Sequence, residues 1–249
     1  MYQFFIEDEN AAEDFVTIEG SDVNHIKNVL RMKPGEKIRV CTRSGQNYFC
    51  SISDITESFV RADILEKEAE STELPCRIYL FQGLPKNDKM EWIIQKTVEL
   101  GVYEVIPVAM KNCVVKLDDK KAKSKVMRWQ AIAESAAKQS KRSLIPEVKM
   151  PMSYKEAVAY AKELDVKLVP YENEHGMAGT KAAMEQIKKG ESIAVFIGPE
   201  GGFAPEEIAL VQDEMQLTSL GKRILRTETA GIVALAILGY QLESSDMIE

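Results

Sequence analysis

Apolar and polar residues alternate with a period of two through the first quarter of the chain. Residues 2–6 and 15–18 are short apolar runs, Ile38 and Val40 share one face of 36–41, and Tyr48, Cys50 and Ile52 alternate, as do Val60, Ala62 and Ile64. This pattern predicts half-buried strands. Ser44-Gly45 is a turn signal between two of them. One helix interrupts the run: Ser21 can cap it, Val23, Ile26, Val29 and Leu30 form its stripe, and Pro34-Gly35 stops it. Short strands at this spacing predict a small barrel. Residues 66–74 (EKEAESTEL) are charged and almost without apolar side chains, as a linker would be.

Beyond the linker the period switches back and forth between strand and helix. Strands are predicted at 77–83, 102–109, 166–169, 192–197 and 217–220. Helices are predicted at 87–101, with Asn87 as cap and Met90, Ile93, Ile94, Thr97 and Leu100 as stripe, and at 118–139, with Val126, Trp129, Ile132, Ala133 and Ala136 as stripe. Further helices are predicted at 153–164, 181–188, 205–215 and 228–242. Strand and helix in alternation define an α/β domain with a mostly parallel sheet.

Composition narrows the function classes. Of 249 residues 45% are apolar and 29% charged, as in ordinary globular proteins. The longest apolar run, 231–242, falls short of the roughly 18 residues that suggest a membrane span. The N-terminal residues carry neither a basic start nor a signal-peptide core, so a cytoplasmic protein is expected. Cys41, Cys50, Cys76 and Cys113 show no C-x-x-C spacing and His25 and His175 lie far apart, so no metal site or disulfide framework is expected. The net charge of −7 argues against a generic nucleic-acid binder. Between Lys111 and Arg142, however, ten lysines and arginines stand against three acids. That stretch reads as a solvated helix face or as a surface that tracks phosphates.

In parallel sheets, ligands bind beyond the carboxyl ends of the strands. Residues 170–179, 198–205 and 221–229 occupy that place. The second, beginning Gly198-Pro199-Glu200-Gly201-Gly202-Phe203, has the glycines that let a backbone approach a ligand closely, but not the spacing of a phosphate loop. The third offers Thr227 as an N-cap, Glu228 in the first helical turn and the planar cation of Arg226 just before it. Taken singly, these are a tight turn and a charged loop with a capped helix.

Taken together, six stretches carry a resemblance. They are HIKNVLRM from His25, KMEWIIQKTVELG from Lys89, VVKLD from Val114, RWQAIA from Arg128, IGPEGGF from Ile197 and LGKRILRTETA from Leu220. In this order and spacing the chain resembles the bacterial 16S ribosomal RNA uracil-N3 methyltransferases, the small-subunit methyltransferase E family of the SPOUT superfamily. The resemblance implies a PUA-like RNA-binding β-barrel at residues 1–70. It implies an α/β SPOUT domain with a C-terminal trefoil knot at 74–249. It also implies S-adenosylmethionine as cofactor, held by Pro170 and Tyr171, by Ile197, Gly198, Pro199, Glu200, Gly201 and Gly202, and by Leu220, Gly221, Ile224, Leu225, Thr227, Thr229 and Ala230. RNA contacts are implied at His25, Arg31, Lys86, Lys111, Lys116 and Arg142. The implied partner is the RNA of the small ribosomal subunit rather than DNA or a membrane. A homodimer is implied too, with helix 228–242 as the candidate interface; burial within one chain is the alternative. Two positions depart from the family pattern. Asn24 replaces the first of paired histidines, and Lys111-Asn112-Cys113 lacks an arginine usual before its Ser/Cys, leaving any such RNA contact to Lys111.

For this reaction the acceptor must lose its N3 proton, and N3 lies on the Watson–Crick edge, so the base must be unpaired or flipped out. Arg226 is the candidate to stabilise negative charge on the uracil oxygens. Glu228 and Glu200 are the carboxylates near enough to be considered as proton acceptors; of the two, Glu228 is carried forward beside Arg226 as a catalytic candidate, with securing the helix start as its other role. Alternatives are a ribose 2′-O-methyltransferase of the same superfamily and a non-enzymatic RNA-binding assembly factor. A hydrolase is disfavoured because no G-x-S-x-G elbow occurs.

Overall fold

A computed structural model of the chain describes residues 1–68, 71–174 and 176–244. Contacts divide these into two compact units: 1–73 with 137–145, and 74–136 with 146–249.

The first unit is built on β1 (Tyr2–Ile6), β2 (Phe15–Glu19), β3 (Lys37–Thr42), β4 (Asn47–Ile55) and β5 (Phe59–Glu68). The sheet runs β1-β3-β4-β5-β2, with β1 parallel to β3 and the rest antiparallel. The period-two positions point to one side. Phe4, Ile6, Val16, Ile18, Ile38, Val40, Cys50, Ile52, Val60 and Ala62 form a single buried cluster. That placement follows from the pleat, which sends alternate side chains to the same face. The helix expected after residue 20 is a single turn, α1 (Ser21–Asn24), continued by a wider turn over His25–Val29. Gly20, not Ser21, occupies the cap position, and Val29 is exposed rather than part of the stripe.

The expected linker is shorter than drawn, since β5 pairs with β4 as far as Glu68; Ala69 and Glu70 lie outside the described residues. The division at residues 70 and 74 also leaves out 137–145, which hydrogen bonds tie into the first unit. Arg39 Nη1 donates to the Lys141 carbonyl at 2.9 Å, Gln3 Nε2 to the Arg142 carbonyl at 2.6 Å and Asn47 Nδ2 to Ser143 Oγ at 2.7 Å. Glu73 accepts from Arg142 Nε at 3.1 Å and from the Ser143 N–H at 2.8 Å. Arg142, expected among the RNA contacts, is 3% exposed, with its guanidinium bonded to Glu73 within this unit.

The second unit contains β6 (Arg77–Gly83), α2 (Lys89–Glu99), β7 (Val102–Ala109) and α3 (Asp119–Ser140), whose last turn belongs to the first unit. Then come short β8 (Glu147–Val148) and β9 (Met152–Ser153), α4 (Tyr154–Lys162), β10 (Val166–Pro170), α5 (Ala178–Glu185), β11 (Ser192–Ile197), α6 (Pro205–Val211), β12 (Gln216–Thr218) and α7 (Thr227–Ser244). Only β8 and β9 were not foreseen; two-residue strands carry no readable alternation. The sheet is parallel throughout, in the order β12-β10-β11-β6-β7-β8. Its buried strands read as continuous apolar runs, as parallel strands covered on both faces do. After β12, at one edge, the chain returns to seat α7 against β11, β6 and α2. A knotted C-terminus of the expected kind requires such a return.

Glu73→Ala removes a carboxylate that bonds the buried Arg142 guanidinium and the Ser143 N–H. The loss expected is about 3 kcal/mol of stability, read as a lower denaturation midpoint in urea; a wild-type midpoint would contradict it.

Candidate active site

Each of the three loops leaves the carboxyl end of a strand in the β12-β10-β11 part of the sheet. Together they wall one cleft of about 880 Å³. From the loop after β10 come Pro170, Tyr171, Glu172 and Glu174. From the loop after β11 come Ile197, Gly198, Pro199, Glu200, Gly202 and Phe203. From the loop after β12 come Ser219, Leu220, Gly221, Lys222, Arg223, Ile224, Leu225, Arg226, Thr227 and Ala230. Lys89, at the start of α2, completes the wall.

A chain of hydrogen bonds beneath the cleft fixes these loops. Gln82, fully buried at the end of β6, donates from Nε2 to Thr227 Oγ1 at 2.9 Å, and Thr227 Oγ1 donates to the Gly198 carbonyl at 2.6 Å. Thr227 is therefore the first residue of α7 with its hydroxyl bridging two elements, not the expected side-chain cap. The strand ends are pressed close. A Cβ on Gly83 would lie 2.7 Å from Pro199 N, so only glycine admits the loop this near. Gly202 has φ +65° and faces the Glu172 carboxylate, 3.0 Å from where a Cβ would stand. Asn112, the departure from the family pattern, donates from Nδ2 to the carbonyls of Gly201 at 3.0 Å and Gly202 at 3.2 Å. Its amide holds the glycine loop, a role the sequence did not reveal.

Charge concentrates on one side. Lys89 Nζ lies 3.0 Å from Glu200 Oε1 and 3.1 Å from Glu228 Oε2. The Glu200 bond has hydrogen-bond geometry; the Glu228 contact is an ion pair off the hydrogen-bond direction, leaving that oxygen buried without a hydrogen bond. Glu200 also accepts the Lys86 N–H at 3.1 Å. Burial raises the Glu200 carboxyl, but bonds from its own N–H, the Lys89 ammonium and the Lys86 N–H outweigh it and hold the group below its ordinary range. The Glu200 hydrogen bond likewise lifts the Lys89 ammonium above its usual value.

The expected site residues thus separate. All the expected cofactor residues line the cleft except Gly201 and Thr229. Gly201 packs on Asn112 instead, and Thr229 is half-buried in α7. Arg226 is exposed on the wall. Glu228, the other expected catalytic group, does not line the cleft; its carboxylate pairs with Lys89. His25 and Arg31 are exposed in the first unit, and Lys86, Lys111 and Lys116 in the second. Lys111 pairs with Glu206 at the surface. Lys89, Glu172, Glu174, Lys222 and Arg223 were missed, because nothing in their local pattern separates a cleft-facing charge from a solvated one.

A parallel sheet with loops converging on one cleft beyond its strand ends is the place where open α/β folds bind ligands. A family profile for an RNA methyltransferase domain matches residues 72–239, and one for an RNA methyltransferase PUA domain matches 18–65. The chain is similar to the ribosomal RNA small subunit methyltransferase E of Bacillus subtilis (strain 168), at 39% identity over 98% of each chain. It is similar to the enzyme of the same name from Mesomycoplasma hyopneumoniae (strain 232), at 36% identity over 94% of this chain and 97% of that one. A solved ribosomal RNA small subunit methyltransferase E from Neisseria gonorrhoeae, bound to S-adenosyl methionine, superposes with a TM-score of 0.83 at 32% identity, covering 96% of each chain. The chain belongs to the ribosomal RNA small subunit methyltransferase E family.

Thr227→Val keeps the side-chain shape but takes the hydroxyl donor from the Gly198 carbonyl and the α7 acceptor from Gln82 Nε2, which keeps its bond to the Gly83 carbonyl. Stability should fall by about 1–3 kcal/mol in chemical denaturation, and an unchanged midpoint would show that this bridge does not hold α7.

Proposed function

We propose that this chain transfers the methyl group of S-adenosylmethionine to N3 of a uridine in the 16S RNA of the small ribosomal subunit. The observation that carries the reading is the convergence of three loops, each following a parallel strand, on one cleft.

The residues suit this cofactor. The cleft volume, about 880 Å³, lies in the range of small-molecule sites. Its wall includes Gly198, Gly202 and Gly221, beside which main-chain groups can read an adenine edge and ribose hydroxyls. Glu172 and Glu174 place carboxylates where a molecule with a cationic amino-acid end gains most. Pro170, Tyr171, Gly198, Gly202, Leu220, Gly221, Leu225 and Ala230 would hold it. When bound, S-adenosylmethionine supplies a methyl group already activated on a sulfonium.

The protein's own work is then on the acceptor. The carboxylates of Glu200 and Glu228 are committed to Lys89. Arg226 is exposed on the wall, and among the described residues its side chain has no ion pair. A guanidinium beside the uracil oxygens stabilises the anion left when the N3 proton departs. RNA would be positioned by exposed polar side chains, Lys86, Lys111 and Lys116 in one unit and His25 and Arg31 in the other. The Lys111–Glu206 pair is exposed and yields to a phosphate at little cost. Such an enzyme works where ribosomes are assembled, in the cytoplasm; among the described residues no helix is long and apolar enough to cross a membrane.

The protein acts as a homodimer through α7 in this reading. Ile232, Val233 and Ile237 are only half-buried, Ala236 is exposed and Tyr240 is 75% exposed, while Trp92 on neighbouring α2 is 53% exposed. These positions follow helical spacing on an apolar face that a second copy would cover. Tyr240→Asp should shift sedimentation from dimer to monomer; a wild-type protein that sediments as a monomer contradicts the dimer.

Arg226→Ala should retain cofactor affinity in calorimetry and lose about 100-fold or more of its transfer rate to small subunits lacking the modification. Unchanged turnover would remove Arg226 from the mechanism. Failure of the wild type to bind S-adenosylmethionine would overturn the functional reading itself.

A further inference from the structure

Lys89 is an unusual residue to find where it is. It is the first residue of α2, where the positive end of the helix dipole disfavours a cation. Only 28% of its side chain is exposed, and its ammonium stands between two carboxylates from different elements, Glu200 on the loop after β11 and Glu228 in the first turn of α7. The two carboxylates are themselves mostly buried, 26% and 18% exposed. Two like charges drawn from water at such short range repel each other unless a cation lies between them.

We propose that Lys89 is a positioning residue that clasps two elements beside the cleft: its ammonium, bound to Glu200 on the glycine loop and paired with Glu228 in the first turn of α7, holds the loop and the helix start in their ligand-ready arrangement before any ligand arrives. The inference rests on the cofactor reading of the cleft and adds to it a residue with no part in the chemistry. The clasp has one further anchor. The Lys86 N–H donates to the same Glu200 carboxylate, so the loop leading into α2 is joined to the glycine loop even without the lysine side chain. The neighbouring charges are otherwise engaged or at the rim. Asp88 pairs with Lys125 and Glu91 with Arg128, while Lys86 is exposed and Arg226, Glu172 and Glu174 lie along the cleft wall.

With the ammonium present, Glu200 ionises below the ordinary carboxylate range, so the clasp is intact at neutral pH and is lost as pH falls through that lowered range. Without it, Glu200 and Glu228 face each other as uncompensated like charges, and one of them takes up a proton at a higher pH than before. This separates a charged clasp from a mere packing contact, since only the clasp predicts a new titration.

The test compares full-length wild type, K89M, K89R and K89M/E200Q between about pH 5.5 and 8.5, a window above ordinary carboxylate values. Thermal stability of the ligand-free protein and calorimetric affinity for S-adenosylmethionine are measured for each. K89M is expected to bind about tenfold more weakly at neutral pH, and to lose thermal stability as pH rises through this window where wild type is flat. K89R should restore most of the affinity. K89M/E200Q, with one carboxylate neutralised, should be pH-flat again. Wild-type affinity together with a flat stability profile in K89M would overturn the proposal. A pH-dependent K89M whose K89M/E200Q partner is equally pH-dependent would overturn it too, by showing that the titrating group lies elsewhere. If wild type fails to bind S-adenosylmethionine, the cofactor reading falls, and the ligand-free stability profiles still decide whether Lys89 clasps the loop and the helix start.

Discussion

The cleft depends on one hydroxyl group. Thr227 Oγ1 takes a hydrogen bond from the buried Gln82 amide and gives one to the Gly198 carbonyl. In doing so it joins the end of β6, the loop after β11 and the start of α7 at a single point. A buried polar contact of this kind is worth little in net free energy when made and a good deal when broken. Its effect is therefore on arrangement more than on stability: the return of the chain from β12 across β10 has to end at this point for the three loops to meet. The close approach of Gly83 to Pro199 is the steric counterpart of the same constraint, because any side chain at Gly83 would push the loop off the strand end.

Around this point the polar groups fall into two sets with different consequences. Asn112 and Gln82 use neutral amides to hold main-chain carbonyls, and such contacts do not change with pH near neutrality. Lys89, Glu200 and Glu228 use charge, and charge in a half-buried place responds to whatever enters beside it. That division leaves the acidic residues Glu172 and Glu174 on the wall for a cationic ligand, and Lys222, Arg223 and Arg226 there for a developing anion.

The strands, helices and their alternation were legible because both periods are strong: Ile38, Val40, Cys50, Ile52, Val60 and Ala62 in the first unit, Met90, Ile93, Ile94 and Thr97 of α2, and Trp129, Ala133 and Ala136 of α3 are all buried, as their spacing assigned. The loops were legible as places beyond strand ends. What their side chains do was not. Thr227 looked like a cap and is a bridge, Asn112 looked like a lost RNA contact and is a support for the glycine loop, and Arg142 looked like a phosphate ligand and is buried on Glu73. Each of these depends on a partner distant in sequence, 29 residues away for Gly198 from Thr227 and 69 for Glu73 from Arg142, and no local pattern encodes such pairings.

The central claim concerns the product, and it is tested most directly by identifying the modified nucleoside. Small subunits that lack the modification are incubated with the protein and S-adenosylmethionine, the RNA is digested, and the nucleosides are resolved by mass spectrometry. The account predicts N3-methyluridine at a single position of the 16S RNA. A ribose 2′-O-methylated nucleoside, or RNA left unmodified by a protein that binds the cofactor, would contradict it.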